Sequence, residues 1–331
     1  MAERRMGQMS FAEELVVEAA GGNAVLEKIA GFVDWKVVAN LLAEVRGGTM
    51  GAPGYPALMM FKALLLQRWY GLSDPAMEEA LKDRLSFRHF VGMSLTESVP
   101  DHSSIWRFRE TLAKGLAEKL FAEIVRQIEA KGFVLKQGTL VDASLVPAAV
   151  NPPEKPKEPL PPGPDGKPAS KLVKSELDPE AAWTRKGNRH FFGYKLHLAM
   201  DMTSRILRRV IFTPANINES EPADRLICGD EGIVYADKAY DSRARRQMLR
   251  KKRIKNGIMR RGHPRRPLTD YAIQLNKRLS KRRGTVEAIF SLYKNVYHLA
   301  RARYRGIARN STAFHLAAIA MNLKRVAVMA K

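Results

Sequence analysis

The hydrophobic pattern of the chain changes its period near residue 130. Before that point apolar residues recur every three to four positions, the period of amphipathic helices. After it come short apolar or alternating runs bounded by Gly, Pro, Asn or Asp, which are typical of β-strands. Four strands are predicted, at 139–146, 190–201, 205–216 and 232–240, with 253–261 as a fifth candidate beyond a helical segment at 242–252. The pattern therefore predicts an all-α N-terminal domain, residues 1–130, followed by an α/β domain, residues 131–331.

A proline-rich tract interrupts the second domain directly after its first predicted strand. Nine of the twenty-two residues from Pro147 to Pro168 are proline, a density that permits neither a helix nor a strand ladder. Strand-like sequence lies on both sides of the tract. We therefore interpret residues 147–180, approximately, as an insertion inside the second domain, able to act as a semi-rigid arm.

Positive charge is concentrated in the second domain. The net charge is +22, yet residues 1–130 carry 15 Lys plus Arg against 17 Asp plus Glu, which leaves +24 for residues 131–331. The densest stretch runs from Arg243 to Arg266, where twelve of twenty-four residues are basic and none is acidic. Such a field attracts a polyanion and releases its counterions, so the charge favours DNA or RNA as the partner. A solvated basic face or an anionic membrane patch is the alternative interpretation.

Other features of the sequence exclude several classes of protein. Lys62 and Arg68 interrupt the most apolar run, so no stretch approaches the roughly 18 apolar residues that a membrane helix needs. Acids near the beginning of the chain argue against a signal peptide. The single cysteine, Cys228, excludes an intramolecular disulfide and a cysteine-based zinc site. We therefore expect a cytoplasmic protein.

The first domain contains a candidate DNA-reading element. Residues 72–116 predict three helices separated by short turns, and Asp101 is placed to cap the last of them. That helix presents Ser103, Ser104 and Arg107 in its first turns, where a helix-turn-helix protein reads bases. The first domain has no excess of positive charge, so an ordinary helical bundle or a dimerisation domain fits the pattern as well.

Three acids in the second domain stand where the apolar pattern does not explain them: Asp142, Asp237 and Glu287. The first two end apolar strand-like runs, and the third lies in segment 282–306, which predicts an amphipathic helix. On that helix Arg283, Glu287 and Lys294 share one stripe. Taken singly, an aspartate at a strand end is a turn former or a helix cap, and Glu287 is a surface ion pair with Arg283.

Taken together, the three acids fit a metal centre. Two carboxylates from neighbouring strands and a third from a helix packed on the sheet are able to hold two Mg²⁺ ions about 3.5 to 4 Å apart. Such a pair of ions activates one oxygen and stabilises another during in-line attack on phosphorus. The pattern therefore predicts phosphodiester chemistry on a nucleic acid.

Several motifs, in their order and spacing, resemble the DDE transposases of bacterial insertion sequences, specifically insertion-sequence family five. The resemblance covers nearly the whole chain. In the first domain it rests on YGLSDPAMEEALKDRLSFRHFVG followed by PDHSSIWRFRE. In the second it rests on VDASLV, KGNRHFFGYKLHLAMD, TPAN, ADKAYDS, and the spacing Arg283-x3-Glu287-x6-Lys294 with RYRG at 303–306.

The resemblance implies a fold and a set of residue roles. The fold is a ribonuclease H-like catalytic domain, a mixed sheet flanked by helices, and Asp142, Asp237 and Glu287 are its metal-binding catalytic triad. Arg283 and Lys294 are the supporting bases. The chain departs from the family at Ser280, Asn218 and Ala239, where relatives often carry Tyr, His and Gly. We also expect DNA contacts from Lys195, Lys238, Tyr240, Arg303 and Arg305, and packing beneath the site from His197.

The predicted function is that of a DNA transposase. It binds the terminal inverted repeats of its own element, cleaves the ends with two Mg²⁺ ions, which Mn²⁺ can replace, and joins the 3′-hydroxyls to target DNA. Two ends must be joined in one event, so a homodimer or a higher oligomer on double-stranded DNA is expected. The alternatives are a metal-dependent nuclease of the same fold without strand transfer, and a DNA-binding regulator without catalysis.

Overall fold

The N-terminal part of the chain is helical. The structure is a computed structural model, and it describes residues 6–7, 23–43, 54–153, 174–262 and 267–330. The N-terminal helices in chain order are α1 (Ala24–Phe32), α2 (Trp35–Leu42), α3 (Ala57–Tyr70), α4 (Asp74–Asp83), α5 (Leu85–Val91), α6 (His102–Leu112) and α7 (Leu116–Ala130).

Local capping fixes where these helices begin. Ser73 Oγ accepts a hydrogen bond from the backbone N–H of Ala76, and Asp101 Oδ1 accepts one from that of Ser104. Each cap satisfies a donor that the first helical turn leaves free. Ten residues separate α5 from α6, so the short turn predicted before the last helix is longer than a helix-turn-helix motif normally has.

The second part of the chain builds a mixed six-stranded sheet. Its strands are β1 (Thr139–Pro147), β2 (Ala182–Lys186), β3 (Arg189–Asp201), β4 (Leu207–Pro214), β5 (Ile233–Ala236) and β6 (Lys255–Ile258). The order across the sheet is β2-β3-β1-β5-β6, and β4 pairs with β3. β1 is antiparallel to β3 and parallel to β5, and β5 is parallel to β6. β1 is therefore the strand at which the sheet changes from antiparallel to parallel pairing.

The remaining helices are α8 (Ala223–Leu226), α9 (Arg243–Lys251), α10 (Asp270–Ser291) and α11 (Ile307–Met329). α8 and α9 contribute Leu226 and Leu249 to a core that also contains Val141 of β1. α10 packs against β1 and β5, and its Arg283 contacts Asp142. Val141 and Asp142 are neighbours on one strand, so they point to opposite faces, and helices cover both faces of the sheet. The predicted α/β class, a mixed sheet flanked by helices after a helical N-terminal region, is confirmed.

Several predicted element boundaries were wrong. β5 covers only four residues of the predicted 232–240 strand, and β6 covers four of 253–261. The helix predicted over 282–306 ends at Ser291 and continues as a π-helical turn, Leu292–Val296. β2 was not predicted; it lies between the segment interpreted as insertion and the strand predicted at 190–201. Most of that insertion, residues 154–173, lies outside the described residues.

The chain divides into two compact units, and each unit is made of segments that are separated in the sequence. One contains Met1–Leu135, Thr203–Arg208 and Thr312–Lys331, and the other contains Lys136–Met202 and Arg209–Ser311. The amino-acid pattern does not foresee that the C-terminal segment joins the first unit. Within the described ranges, none of the helices combines the length and the apolar composition needed to cross a bilayer.

Candidate active site

Asp142 and Asp237 lie at matching positions, one on β1 and the other directly after the parallel strand β5. The register pairs Leu140 of β1 with Tyr235 of β5, and two residues further along each chain come Asp142 and Asp237. β5 ends at Ala236, and Asp237 then caps the short 3₁₀ turn Lys238–Tyr240, with its Oδ1 accepting from the backbone N–H of Lys238 at 2.6 Å. The parallel register therefore places the two carboxylates side by side at the end of β5.

Arg283 of α10 joins the two aspartates. Its guanidinium donates to Asp142 Oδ2 at 3.0 Å, and another of its nitrogens lies 3.6 Å from Asp237 Oδ1. The same side chain contacts Met259 Sδ, just after β6. Three elements that are far apart in the sequence thus converge on one charged centre, which contains Asp142, Asp237 and Arg283.

The environment of Asp142 disfavours its negative charge. Burial raises the pKa of the carboxyl group, because a low dielectric penalises the anion, and the charge of Asp237 adds to the rise. Arg283 and the backbone N–H of Ala143 oppose it. A bound cation offsets the repulsion between neighbouring carboxylates. Carboxylate oxygens are also the ligands that Mg²⁺ and Mn²⁺ prefer. The donor chemistry at the centre therefore fits a divalent ion.

Glu287 lies one helical turn after Arg283, and its side chain is exposed. Four residues of α-helix advance about 6 Å, so the acid is a close neighbour of the residue that contacts both aspartates. Glu287 makes no hydrogen bond or ion pair with any described residue. Among the described residues, Asp142, Asp237 and Glu287 do not form a group whose ligand atoms all lie within 4.8 Å of one another. The structure joins two of the three predicted acids through Arg283, and the third is exposed on α10.

The remaining predicted bases lie mostly on the surface. Lys238, Lys294, Arg303 and Arg305 are exposed. Lys294 lies in the π-helical turn after α10, where the wider turn shifts side chains away from the α-helical stripe. That Lys294 shares one stripe with Arg283 therefore stays a prediction.

Three side chains of the predicted site are buried. Lys195 Nζ donates to the backbone carbonyl of Ile217 at 2.7 Å. Tyr240 is 1% exposed, so its ring presents no open face to a nucleic-acid base. His197 is fully buried as expected, with Nε2 2.9 Å from Thr213 Oγ1. Burial is thus at odds with a stacking role for Tyr240 and a surface role for Lys195.

His197 gives the fold a defined pH dependence. Burial, with a smaller contribution from Lys195, lowers the pKa of the imidazole from 6.5 to about 4. Between these values the unfolded chain binds a proton that the folded chain does not, so stability falls as the pH drops, by up to about 1.4 kcal/mol per pH unit. We expect His197→Gln to flatten the fall in unfolding free energy between pH 6.5 and 4, measured by urea denaturation. His190→Gln, at an exposed position of β3, is the control; equal slopes for both variants would contradict the assignment.

Two residues near the centre were missed by the sequence analysis. Arg245, counted there only as part of the basic run, is 4% exposed and donates to Ser220 and to the backbone carbonyl of Tyr240. Burial raises the pKa of the Glu219 carboxyl group; Lys195 opposes the rise, and Asp142 and Asp237 add to it. The signal for Glu219 is its place three residues after the TPAN motif, but one acid in a polar loop is too common a feature to single out.

The proposed reading helix α6 has an exposed first turn. Ser103 Oγ donates to Asp101 Oδ1 at 3.0 Å and accepts from Arg107 at 2.7 Å. Ser104 is half-buried, and Arg107 is exposed. Trp106 beside them is 48% exposed, which is unusual for so large an apolar side chain. The turn presents polar and aromatic groups to solvent together.

A second place in the described part of the chain brings possible metal ligands together. Hydrogen bonds and an ion pair within that turn account for its acids. Cys228, Asp230 and Glu231 place ligand atoms within 4.8 Å of one another. The Glu231 carboxylate accepts from the backbone N–H groups of Cys228 and Gly229, both at 2.7 Å, and Asp230 pairs with Lys136 at 2.6 Å. These contacts satisfy the acids as a structural cap.

Comparison with known proteins places this geometry in a family. The family model described as Transposase DDE domain matches residues 135–323, and the one described as Transposase domain (DUF772) matches residues 17–111. Among solved structures, the chain is similar to a piggyBac transposase in a synaptic complex with hairpin DNA, at 10% sequence identity and a TM-score of 0.43, over 99% of this chain and 77% of that one. The first model alone spans more than half of the chain and contains the whole charged centre, and the enzymes it describes generally use divalent metal ions. The protein therefore belongs to the Transposase DDE domain family and is a DDE transposase.

Proposed function

We propose that this transposase is of the insertion-sequence family five type and moves its own element. It binds the terminal inverted repeats, cleaves phosphodiester bonds at the ends, and joins the freed 3′-hydroxyls to target DNA. The observation that carries the proposal is the convergence of Asp142, Asp237 and Arg283 on one centre inside the Transposase DDE domain match. Such an enzyme works in the cytoplasm, at the nucleoid.

Asp142, Asp237 and Glu287 are the proposed catalytic and metal-binding residues. They would hold two Mg²⁺ ions, with Mn²⁺ as a substitute, because all three offer hard oxygen ligands. When bound, the ions supply Lewis-acid stabilisation of charge on the reacting phosphate group. Since the Glu287 carboxylate is exposed on α10, one turn from Arg283, a change of its side-chain rotamer is the least movement that would bring it towards the aspartates.

Basic residues of the second part of the chain are proposed to hold the DNA backbone. Lys238 directly follows Asp237, and Lys294, Arg303 and Arg305 are exposed beyond the end of α10. Contacts of this kind set the position of a duplex without reading its sequence. We propose a second role for Arg283. When metal ions occupy the two carboxylates that it bridges, its guanidinium is able to bind a phosphate group of the DNA instead.

The helical N-terminal region, residues 1–130, is proposed to supply recognition of the end sequence. Ser103, Ser104 and Arg107 on the first turns of α6 are the proposed contacts, with the exposed Trp106 beside them. The active assembly is proposed to be at least a dimer, because two ends are joined in one event. The proline-rich arm leaves the sheet directly after β1, the strand of Asp142, and it is proposed to reach DNA or the second protomer.

Joining, as distinct from cutting, is the decisive test. The full chain is incubated with Mg²⁺ or Mn²⁺, a supercoiled plasmid, and end duplexes already cleaved to expose the 3′-hydroxyl. We expect sequencing to recover end duplexes joined to the plasmid at staggered positions. Nicked or linear plasmid without any joined ends would identify a nuclease of the same fold, and no reaction beyond binding would identify a regulator.

A further inference from the structure

An unpaired amine lines a pocket in the helical compact unit that contains Met1–Leu135. Lys62 of α3 shares a cavity of about 240 Å³ with residues of α1 and α5. Its side chain is half-buried, and its amine makes no hydrogen bond or ion pair with any residue that the structure describes. Lysine side chains are mostly exposed, and those that are buried are normally paired. The position of Lys62 therefore calls for another explanation than surface charge.

Two aromatic rings lie against the amine. Lys62 Nζ is 4.6 Å from the centroid of the Trp35 ring and 5.3 Å from that of Phe90. The rings are themselves held in place, because Trp35 Nε1 donates to the Ala30 carbonyl at 3.0 Å and the two rings pack edge to face. Ring faces attract a cation, but they supply no acceptors to replace the three hydrogen bonds that an ammonium group makes in water. The fold therefore fixes the amine where its charge is poorly solvated.

Burial makes this amine a better nucleophile at neutral pH than an ordinary lysine. It lowers the pKa of the amine from 10.5 to about 8, because it penalises the charged form. At pH 7 this change raises the fraction of uncharged amine by about two orders of magnitude. The uncharged amine is the nucleophile, and desolvation in an apolar pocket is one of the ways in which proteins activate lysine.

The other polar groups of the pocket leave the amine unneutralised. Glu27 is the one acid of the described lining, and its exposed carboxylate forms no ion pair with Lys62. Ser86 and His89 of α5 also line the cavity, and neither side chain hydrogen-bonds to a described residue. A hydroxyl and an imidazole are able to donate to phosphate oxygens. The pocket thus combines a nucleophile with donors for an anionic leaving group.

The size of the cavity limits what enters it. At about 240 Å³ it is smaller than the pockets of roughly 300 to 1,000 Å³ that hold drug-sized ligands. It therefore suits a donor as small as acetyl phosphate, and not an acyl group on a large nucleotide carrier. An acyl group on Lys62 removes the poorly solvated charge and sets apolar atoms beside the two rings, so the product fits the pocket as well.

We propose that Lys62 is an acylation site whose acyl donor is a small acyl phosphate that enters this pocket. The lone pair of the amine attacks the carbonyl carbon, a C–N bond forms, and the C–O bond to the phosphate group breaks. The phosphate group leaves with the electrons of that bond and takes up the proton that the nitrogen loses. The products are N-acyl-lysine and inorganic phosphate. The inference does not rest on the proposed function, because Lys62 belongs to the other compact unit from Asp142 and Asp237.

Acetyl phosphate tests the proposal on the unaltered full chain. Acetylation of each lysine at pH 7 is followed over time by digestion and mass spectrometry. We expect Lys62 to react about 10-fold faster than Lys36, an exposed lysine of the same unit; the gain is smaller than the change in uncharged fraction, because a less basic amine is also a weaker nucleophile. Lys82, paired with Glu78 at 2.7 Å, should be slower than Lys62 as well. In the chain unfolded by urea, the preference for Lys62 should disappear.

The pH profile separates a reactive amine from one that is merely accessible. In the folded chain the Lys62 rate should level off above about pH 8, whereas in urea it should keep rising to about pH 10. Glu27→Gln and His89→Gln replace the other titratable groups of the described lining, and both variants should keep the folded profile. A Lys62 rate no greater than that of Lys36 at pH 7, or the same profile in the folded and unfolded chains, would overturn the proposal.

Discussion

We expect Asp142→Asn and Asp237→Asn each to abolish metal-dependent cleavage of end DNA and to leave binding of that DNA intact. Both substitutions keep the shape of the side chain and remove a charged ligand. Loss of the several kcal/mol that a bound metal ion contributes to the transition state corresponds to a fall of about 1000-fold or more in cleavage rate. The measurement is single-turnover cleavage of a labelled end duplex in Mg²⁺ and in Mn²⁺, with binding followed by a gel shift.

Controls separate lost chemistry from lost structure. Asp230→Asn removes an equal charge from the same unit at a partly exposed surface ion pair, and it should cleave at the rate of the unaltered chain. Glu287→Gln should match the two aspartate variants if the exposed glutamate moves into the site. A variant that cleaves at near the original rate removes its residue from the proposed triad.

The aspartates were predictable because strand and acid are adjacent in the sequence. An acid after a short apolar run is visible without any knowledge of the fold, and β1 matches its predicted range within one residue. Asp142, however, lies inside β1 and not at a strand end as predicted, whereas Asp237 directly follows β5. The meeting of Asp142 with Asp237 follows from the parallel register of β1 and β5, which local sequence does not encode. Arg283 was predicted only from its spacing to Glu287, and its contact with both aspartates depends on how α10 packs on the sheet.

Other parts of the site depend on contacts that no local pattern contains. The burial of Lys195 follows from the pairing of β3 along its length, although the nearly continuous apolar run around it was a signal of a strand covered on both faces. The apolar spacing predicts a helix that extends to residue 306, whereas α10 ends at Ser291. Glu219 lies on a loop that Arg245 of α9 holds by a hydrogen bond to Ser220, a residue 25 positions earlier in the chain. Tertiary contacts decided each of these cases.

A steep salt dependence of DNA binding is the second large expected effect. If the second part of the chain binds six to ten phosphates, affinity for nonspecific duplex should fall by about 10³- to 10⁵-fold between 50 and 200 mM salt, through counterion release. The experiment uses the full chain, because each compact unit is built from segments that are separated in the sequence. A truncation near residue 130 would divide the first unit. Fluorescence anisotropy over a range of salt concentrations gives the slope of log K against log salt, and a nearly flat slope would contradict phosphate binding by this surface.

The basic stretch around α9 should carry part of that slope. Within it, Arg245 is buried in the clamp on Ser220, and Arg246 is paired with Asp241 at 2.6 Å, so neither is proposed to hold DNA. Arg250, Lys251 and Lys252 are exposed, and replacing all three by Gln should reduce the slope by up to about 2.7, at about 0.9 for each phosphate that the variant no longer neutralises. The same change of charge at the exposed residues Lys36, Lys114 and Lys119 of the first unit is the control. Equal effects of the two triple variants would show that net charge alone sets the affinity, whereas a larger effect at α9 locates the phosphate-binding surface on the unit that contains Asp142 and Asp237.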